Sequence, residues 1–310
     1  MIKPSQEKPL VLYENRYCNQ EEFDVVICGG RNHNCAAESE VCKLKGPEFQ
    51  SSVLMSRVLS GRNWCKSAVI GTDIYVLYGH DECDGRKSSF EMYSAKKKHL
   101  KTLKPIHFSQ FNNSVCTFMK AIYIVGGSIE AIYSEYHTNE VYKYEISENE
   151  WHQVASLQSK RSDPACTVFE GKIVVSGGIV RTLGDLEILR SVESYDHHVN
   201  KWTFISNMVK AKFGHFSVSM GNKMFVVGRN SLTRVEVFDS VSRQFTMTTL
   251  YLPRTRVSDI KAFGVNDKIY IITSEFYMYV FNINENILTL KGKMPNRSLN
   301  YADLLKYPKL

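Results

Sequence analysis

Short apolar runs alternate with polar turns along this chain, and one stretch shows the pattern most fully. Residues 171–202, GKIVVSGGIVRTLGDLEILRSVESYDHHVNKW, open with the apolar run Ile173, Val174 and Val175, which leads into Gly177 and Gly178. After a loop, Val192, Glu193, Ser194, Tyr195 and Asp196 alternate, and a polar turn over 197–200 leads to Lys201, Trp202, Thr203 and Phe204. Period-two alternation predicts strands, and two such runs around a short polar turn predict a hairpin. Paired glycines let the chain turn sharply in a crowded place, because glycine takes positive φ without steric cost. One such unit is a curled sheet with no core of its own. It requires copies beside it.

The copies are present. The apolar pair recurs as Val25-Val26, Ile74-Tyr75, Ile122-Tyr123, Ile173-Val174, Met224-Phe225 and Ile269-Tyr270, its second members 49, 48, 51, 51 and 45 residues apart. The hairpin recurs downstream, from Tyr93 to Leu100, Tyr144 to Trp151, Tyr195 to Trp202, Phe238 to Phe245 and Phe281 to Ile287, with Leu44 to Phe49 in the first copy. The glycine pair is intact at Gly29-Gly30, Gly126-Gly127 and Gly177-Gly178, reduced to Gly79-His80 and Gly228-Arg229, and lost at Thr273-Ser274. A period near 50 residues with this punctuation resembles the kelch repeat. The resemblance covers nearly the whole chain. It implies an all-β fold, a six-bladed kelch β-propeller in which each blade is a four-stranded antiparallel sheet.

The first copy begins abruptly at residue 23, with no strand before it. The segment 296–305 near the C-terminus resembles the approach to the second copy's first strand, Gly61, Arg62, Asn63 and Trp64. An open propeller would leave sheet edges exposed, so the C-terminal strand is expected to close the ring as the innermost strand of blade 1. The expected organisation is therefore one propeller domain over 23–310. Residues 1–22 form a connector in which Leu10 to Tyr13 offer a short strand or a helix tail. A similar connector precedes blade 1 in BTB-BACK-kelch proteins, so this segment resembles the end of a BACK domain. The chain reads as a fragment, a shortened isoform or a kelch-only relative.

Composition narrows the class of function. The chain has 310 residues, of which 43% are hydrophobic and 23% charged, and its net charge is +7. No run is long and apolar enough for a membrane span, and the N-terminus lacks the apolar centre of a signal peptide, so a cytoplasmic location is expected. Cys18, Cys28, Cys35, Cys42, Cys65, Cys83, Cys116 and Cys166 contain no CxxC pair. Those inside apolar strands read as small hydrophobes. The basic turn Lys96, Lys97 and Lys98 reads as a solvated hairpin on the outer rim, not a nucleic-acid patch, because no aromatic binding signature accompanies it. Glu193, Glu236, Asp196 and Asp239 read as residues that hold strand ends and turns through local bonds to backbone N–H groups. Long excursions over 128–139 and 179–190 read as loops on the channel face, where a rigid scaffold presents recognition residues.

No catalytic constellation is present. The nine histidines show no ligand spacing, and GxSxG, GxxxxGK and paired CxxC motifs are missing. Copper-dependent galactose oxidases share the kelch architecture, but their chemistry requires converging tyrosine and histidine ligands that this sequence does not display. No catalytic residue, metal or cofactor is assigned.

The resemblance implies a non-enzymatic recognition module similar to the substrate-binding half of cullin-3 ubiquitin ligase adaptors, which holds a protein substrate or peptide. In such adaptors cullin-3 is engaged through BTB and BACK domains that this sequence does not contain; no nucleic-acid or membrane partner is implied. The docking face in that family is built from loops after the glycine pairs and before each first strand. Carried over, the first set is Arg31, Asp81, Ser128, Ile179, Asn230 and Glu275, and the second is Asn63, Asn112, Asp163, Gly214, Asp259 and Ser298. Two alternatives stay open: an actin- or cytoskeleton-binding kelch protein, and a kelch-only competitor of such an adaptor.

Overall fold

The computed structural model describes residues 23–308, apart from 31–38, 46–50, 59–60, 63, 82–84, 88, 107–109, 132–133, 183–184, 229–233, 252–260, 274–276 and 294–302. The described strands form six principal antiparallel sheets. Blade 4 shows the plan: Ala165–Phe169 is the inner strand, followed outward by Lys172–Ser176, Ser191–Asp196 and Lys201–Asn207. Blades 2, 5 and 6 repeat it with inner strands Ser67–Ile70, Phe216–Met220 and Lys261–Val265. Blade 3 begins at Ser114–Phe118 and adds a short strand, Gln110–Phe111.

Blade 1 is closed as its missing first strand requires. Asp303–Pro308 pairs antiparallel with Phe23–Cys28, in register from Phe23 opposite Pro308 to Cys28 opposite Asp303. Each inner strand then lies beside the inner strands of both neighbouring blades, all the way round. Ring closure leaves only short sheet edges, which removes the templates for misassociation. The connector expected over residues 1–22, with its segment 10–13, lies outside the described residues.

The core is divided among the six joints between blades, and the alternation along each strand explains why. Blade 3 contributes Tyr123, Val125 and Val141 to one cluster, and blade 4 contributes Ile173, Val175, Tyr195 and Trp202 to the same cluster. Val25, Ile27 and Leu44 of blade 1 meet Val265, Ile272 and Met278 of blade 6 across the closing joint. No blade buries its own apolar face; each needs a neighbour.

The hairpin signature has a second role at these joints. Asn200 closes the outer turn of blade 4 at φ 49°, a conformation asparagine tolerates well. Its Oδ1 accepts the Tyr195 hydroxyl at 2.8 Å and the backbone N–H of Ala155, between blades 3 and 4, at 2.9 Å. Trp202 Nε1 donates to the Ala155 carbonyl at 2.9 Å. Tyr144, Asn149 and Trp151 repeat the arrangement one blade earlier, against Lys104.

Three sequence readings are corrected. In blade 6 the partner of Phe281 is Leu288, not Ile287, and in blade 1 the partner of Leu44 is Ser52, not Phe49. Ile287 is accordingly exposed. The excursions in blades 3 and 4 are hairpins instead of loops: Ala121–Ala131 and Ser134–Glu145 extend as one long ribbon, and Ile179–Thr182 pairs with Asp185–Ile188. Strand pairing continues past the glycine pair, where the sequence reading places a loop.

Candidate functional site

The face expected to bind a partner is built at the approach to each inner strand. In blade 4 this segment carries Arg161, which is fully buried. Its Nη2 and Nε donate to Glu193 Oε1 at 2.8 and 3.2 Å, and Nη1 donates to the carbonyls of Gly177 and Ser191 at 2.7 and 2.9 Å. Glu193 also accepts the backbone N–H groups of Gln158 and Ser159 at 2.7 and 3.2 Å. Burial lowers the pKa of the guanidinium, while the Glu193 carboxylate opposes that shift.

Equivalent pairs recur around the ring. Arg62 is paired with Glu91 in blade 2, Gln110 with Glu140 at 3.0 Å in blade 3, and Lys212 with Glu236 at 3.6 Å in blade 5. In the last pair burial dominates both groups, lowering the Lys212 pKa and raising that of Glu236. Glu193 and Glu236 do not hold local turns, as the sequence suggests, but clamp segments about 30 residues upstream. Asp196 and Asp239 do act locally, accepting N–H groups two or three residues on.

The glycine pairs receive these basic residues. The carbonyl of Arg161 accepts the Gly127 N–H at 2.6 Å, and the carbonyl of Lys212 accepts the Gly178 N–H at 2.8 Å. A Cβ on Gly126, at φ 64°, would lie 2.5 Å from the Arg161 carbonyl oxygen, so glycine is required by both backbone conformation and space. The glycine pair of one blade is thus the seat for the next blade's approach segment.

Two residues beyond each of these anchors the chain takes a left-handed conformation: Trp64 (φ 48°), Asn112 (51°), Asp163 (50°) and Gly214 (56°). The last three are joined in series, since Asp163 N–H donates to the Asn112 carbonyl at 2.6 Å and Gly214 N–H to the Asp163 carbonyl at 2.8 Å. These bonds cross from blade 3 to 4 and from blade 4 to 5. Asn112, Asp163 and Gly214 therefore stand in one row.

The other nominated positions are placed less uniformly. Ser128 is 0% exposed and donates its hydroxyl to Ser162 Oγ at 2.7 Å, so it supports the face from beneath. Ile179 is half-buried and exchanges backbone bonds with Ser162 at 2.7 and 2.8 Å. Asp81 lies in a short ribbon, Gly79–Asp81 against Gly85–Lys87. Arg31, Asn63, Asn230, Asp259, Glu275 and Ser298 lie outside the described residues.

In blade 2 the pairing shifts the assignment by one. Ser67 opposes Val76 as Cys166 opposes Val175, which makes Tyr78 and Gly79 the counterparts of Gly177 and Gly178. The positions equivalent to Asp163 and Ile179 are then Trp64 and His80, not Asn63 and Asp81. Trp64 is 49% exposed and meets the His80 ring edge-on at 5.9 Å. Sequence reading missed this aromatic pair, although counting two residues on from Arg62, as from Arg161, would have found Trp64. The rim lysines Lys96, Lys97 and Lys98 are exposed in the outer turn of blade 2.

Among the described residues no group of three or more His, Cys, Asp or Glu side chains could hold a metal ion. No helix among them is long and apolar enough to cross a membrane.

Comparison with known proteins agrees with this plan. The Kelch motif is recognised at residues 111–158 and 160–209, which carry most of blades 3 and 4. Kelch-like protein 23 of Homo sapiens is 24% identical over 190 residues, covering 60% of this chain and 32% of that protein. Spermatocyte protein spe-26 of Caenorhabditis elegans is 30% identical over 186 residues, covering 57% of this chain and 30% of the relative. The chain thus matches about a third of the length of these relatives. The solved structure of YjhT superposes with a TM-score of 0.65 at 12% identity, over 77% of this chain and 86% of that one, a likeness of fold alone. Recognised Kelch motifs set within a closed ring of six like sheets make this chain a kelch-repeat β-propeller.

Proposed function

We propose that this propeller is a non-enzymatic recognition module that holds a protein partner on the face carrying Trp64, Asn112 and Asp163. The observation that carries the reading is the set of left-handed positions, Trp64 and Asp163 on buried ion pairs and Asn112 on the Gln110–Glu140 hydrogen bond. A surface whose backbone is fixed in advance loses little conformational entropy when a partner docks. An exposed tryptophan beside polar tips has the composition of an interface hot spot. Within this reading the chain acts in the cytoplasm as the substrate-holding part of a ubiquitin ligase adaptor, or as a competitor of one. Cullin-3 itself would be engaged through other domains.

The test compares two sets of substitutions. Trp64, Asn112 and Asp163 are changed together to glycine, which preserves their positive φ while removing the side chains. Lys96, Lys97 and Lys98 are changed together to alanine as a rim control. Capture of partners from a cell lysate should fall at least tenfold in the face variant and stay near the unmodified level in the rim variant; both should melt cooperatively. Loss of capture in the rim variant alone, together with co-sedimentation of the unmodified chain with filamentous actin, would refute the reading in favour of a cytoskeletal binder.

A further inference from the structure

Past the glycine pair of blade 4 the chain forms a two-stranded ribbon, Ile179–Thr182 against Asp185–Ile188. The side of the ribbon toward blade 3 is occupied. Ile179 exchanges backbone bonds with Ser162 at 2.7 and 2.8 Å, and the Arg181 N–H donates to His137 Nδ1 at 3.0 Å. In an antiparallel ladder, residues whose backbone groups point away from the partner strand form the non-hydrogen-bonded pairs. Ile188 and Leu186 stand opposite Ile179 and Arg181, so their own N–H and carbonyl groups point out on the far side. No described strand pairs with that side, and Asp185, Leu186, Glu187 and Ile188 are all exposed.

Alternation sorts the four side chains. Leu186 and Ile188 share one face of the ribbon, 51% and 38% exposed, and Asp185 and Glu187 share the other. No ion pair among the described residues engages either carboxylate. An open edge of this kind is a template for another strand, and its charges select which. A second copy of this chain, pairing through Leu186 and Ile188 about a twofold axis, would set Glu187 opposite Glu187 in the closest class of cross-strand pair. Centred on Leu186 instead, it would set Asp185 opposite Glu187 twice. Like charges so placed are destabilising.

We propose that this edge takes an extended segment of a partner protein as an added antiparallel strand, with residues in the order apolar, basic, apolar, basic. These would stand opposite Ile188, Glu187, Leu186 and Asp185 in turn. The two apolar residues exchange backbone bonds with Ile188 and Leu186 and extend their apolar face, while Lys or Arg side chains pair with Glu187 and Asp185. The charges that bar a second copy thus admit a basic strand. The proposal rests on the protein-recognition reading above and adds a separate surface to it, since the ribbon is bonded to Ser162, next to Asp163.

The test uses the whole chain and labelled peptides, read by fluorescence anisotropy. A peptide with the core Val-Lys-Val-Lys should bind at least about tenfold more tightly than one with Val-Glu-Val-Glu, and Asp185→Lys with Glu187→Lys should reverse that order. N-methylation of the two valine nitrogens, which face the edge, should weaken binding at least about tenfold; N-methylation of the lysine nitrogens, which face away, should not. Leu186→Pro removes an outward N–H and no bond of the ribbon, so it should abolish binding and melt with the unmodified chain. The glycine variant of Trp64, Asn112 and Asp163 should keep the peptide. No binding of the Val-Lys-Val-Lys peptide, an unreversed charge preference, or equal loss from both methylations overturns the proposal. So does a dimer of the unmodified chain that Leu186→Pro dissociates in sedimentation. Peptide lost in the glycine variant but kept in Leu186→Pro would overturn the edge and leave the recognition reading standing. The methylated peptides decide the matter even where the proline variant folds poorly.

Discussion

Removing Arg161 should destabilise the propeller far more than breaking a closer ion pair on its surface. Arg161 and Glu193 are 2.8 Å apart with side chains 0% and 2% exposed, whereas Arg243 and Glu170 are 2.6 Å apart with 49% and 43% exposed. Distance favours the second pair; burial favours the first. Arg161→Met leaves a buried carboxylate without its cation and strips donors from the Gly177 and Ser191 carbonyls. Breaking a buried pair from one side costs about 3–5 kcal/mol. Glu170→Gln, in contrast, should cost under about 1 kcal/mol because water screens the exposed pair.

A double-mutant cycle separates pairing from packing. Arg161→Met combined with Glu193→Gln should be less destabilised than the sum of the single changes by roughly 1–3 kcal/mol, since the double variant leaves no unpaired charge. Urea midpoints and slopes for the four proteins give these values. If Arg161→Met costs less than about 1 kcal/mol, or the two changes add within about 0.5 kcal/mol, the ion pair does not clamp the blade and the argument from burial fails.

Trp202→Ala should cost about 3–5 kcal/mol, while Phe204→Ala, exposed on the same strand, should stay within about 0.5 kcal/mol; equal losses in thermal melts would contradict the packing assignment. Gly177→Ala should cost at least about 1 kcal/mol more than Gly171→Ala: both have positive φ, but only at Gly177 would a Cβ meet the Lys212 carbonyl and the His215 ring. Urea unfolding of both variants decides this. His215 is sealed at the joint between blades 4 and 5; burial first, then Lys212 and Arg161, push its pKa down from 6.5 to about 3. The unfolded chain therefore binds the extra proton, and stability is full above pH 6.5 and falls as pH drops toward 3. Between pH 7 and 5 this amounts to about 2 kcal/mol, so His215→Asn should flatten the fall in urea midpoint over that interval. An unchanged slope would show that His215 is not held neutral.

The linear sequence determined the architecture because that information is periodic. Strand alternation, paired glycines and a spacing near 50 residues recur, so six weak copies reinforce one another, and the missing first strand of blade 1 implied its replacement from the C-terminus. Hairpin partners were legible where seven residues separate the marks, at Tyr93 with Leu100, Tyr144 with Trp151, Tyr195 with Trp202 and Phe238 with Phe245, and slipped where the reading departed from that spacing, at Phe281 and Leu44. The excursions past residues 128 and 179 were not legible as hairpins, because the glycine pair before each of them also marks the start of a loop.

Only the tertiary structure decided which distant residues meet. Arg161 and Glu193 are 32 residues apart in sequence, Lys212 and Glu236 are 24 apart, and neither pair has a local signature. The candidate face suffered for the same reason. A one-residue shift in blade 2 exchanges Asn63 for Trp64; the strand register reveals it, and the spacing from Arg62 agrees. A blade's own strands follow from a short-range pattern repeated along the chain. Contacts between blades depend on the angle at which one sheet packs on the next, and that angle is set by burial of apolar faces from distant segments.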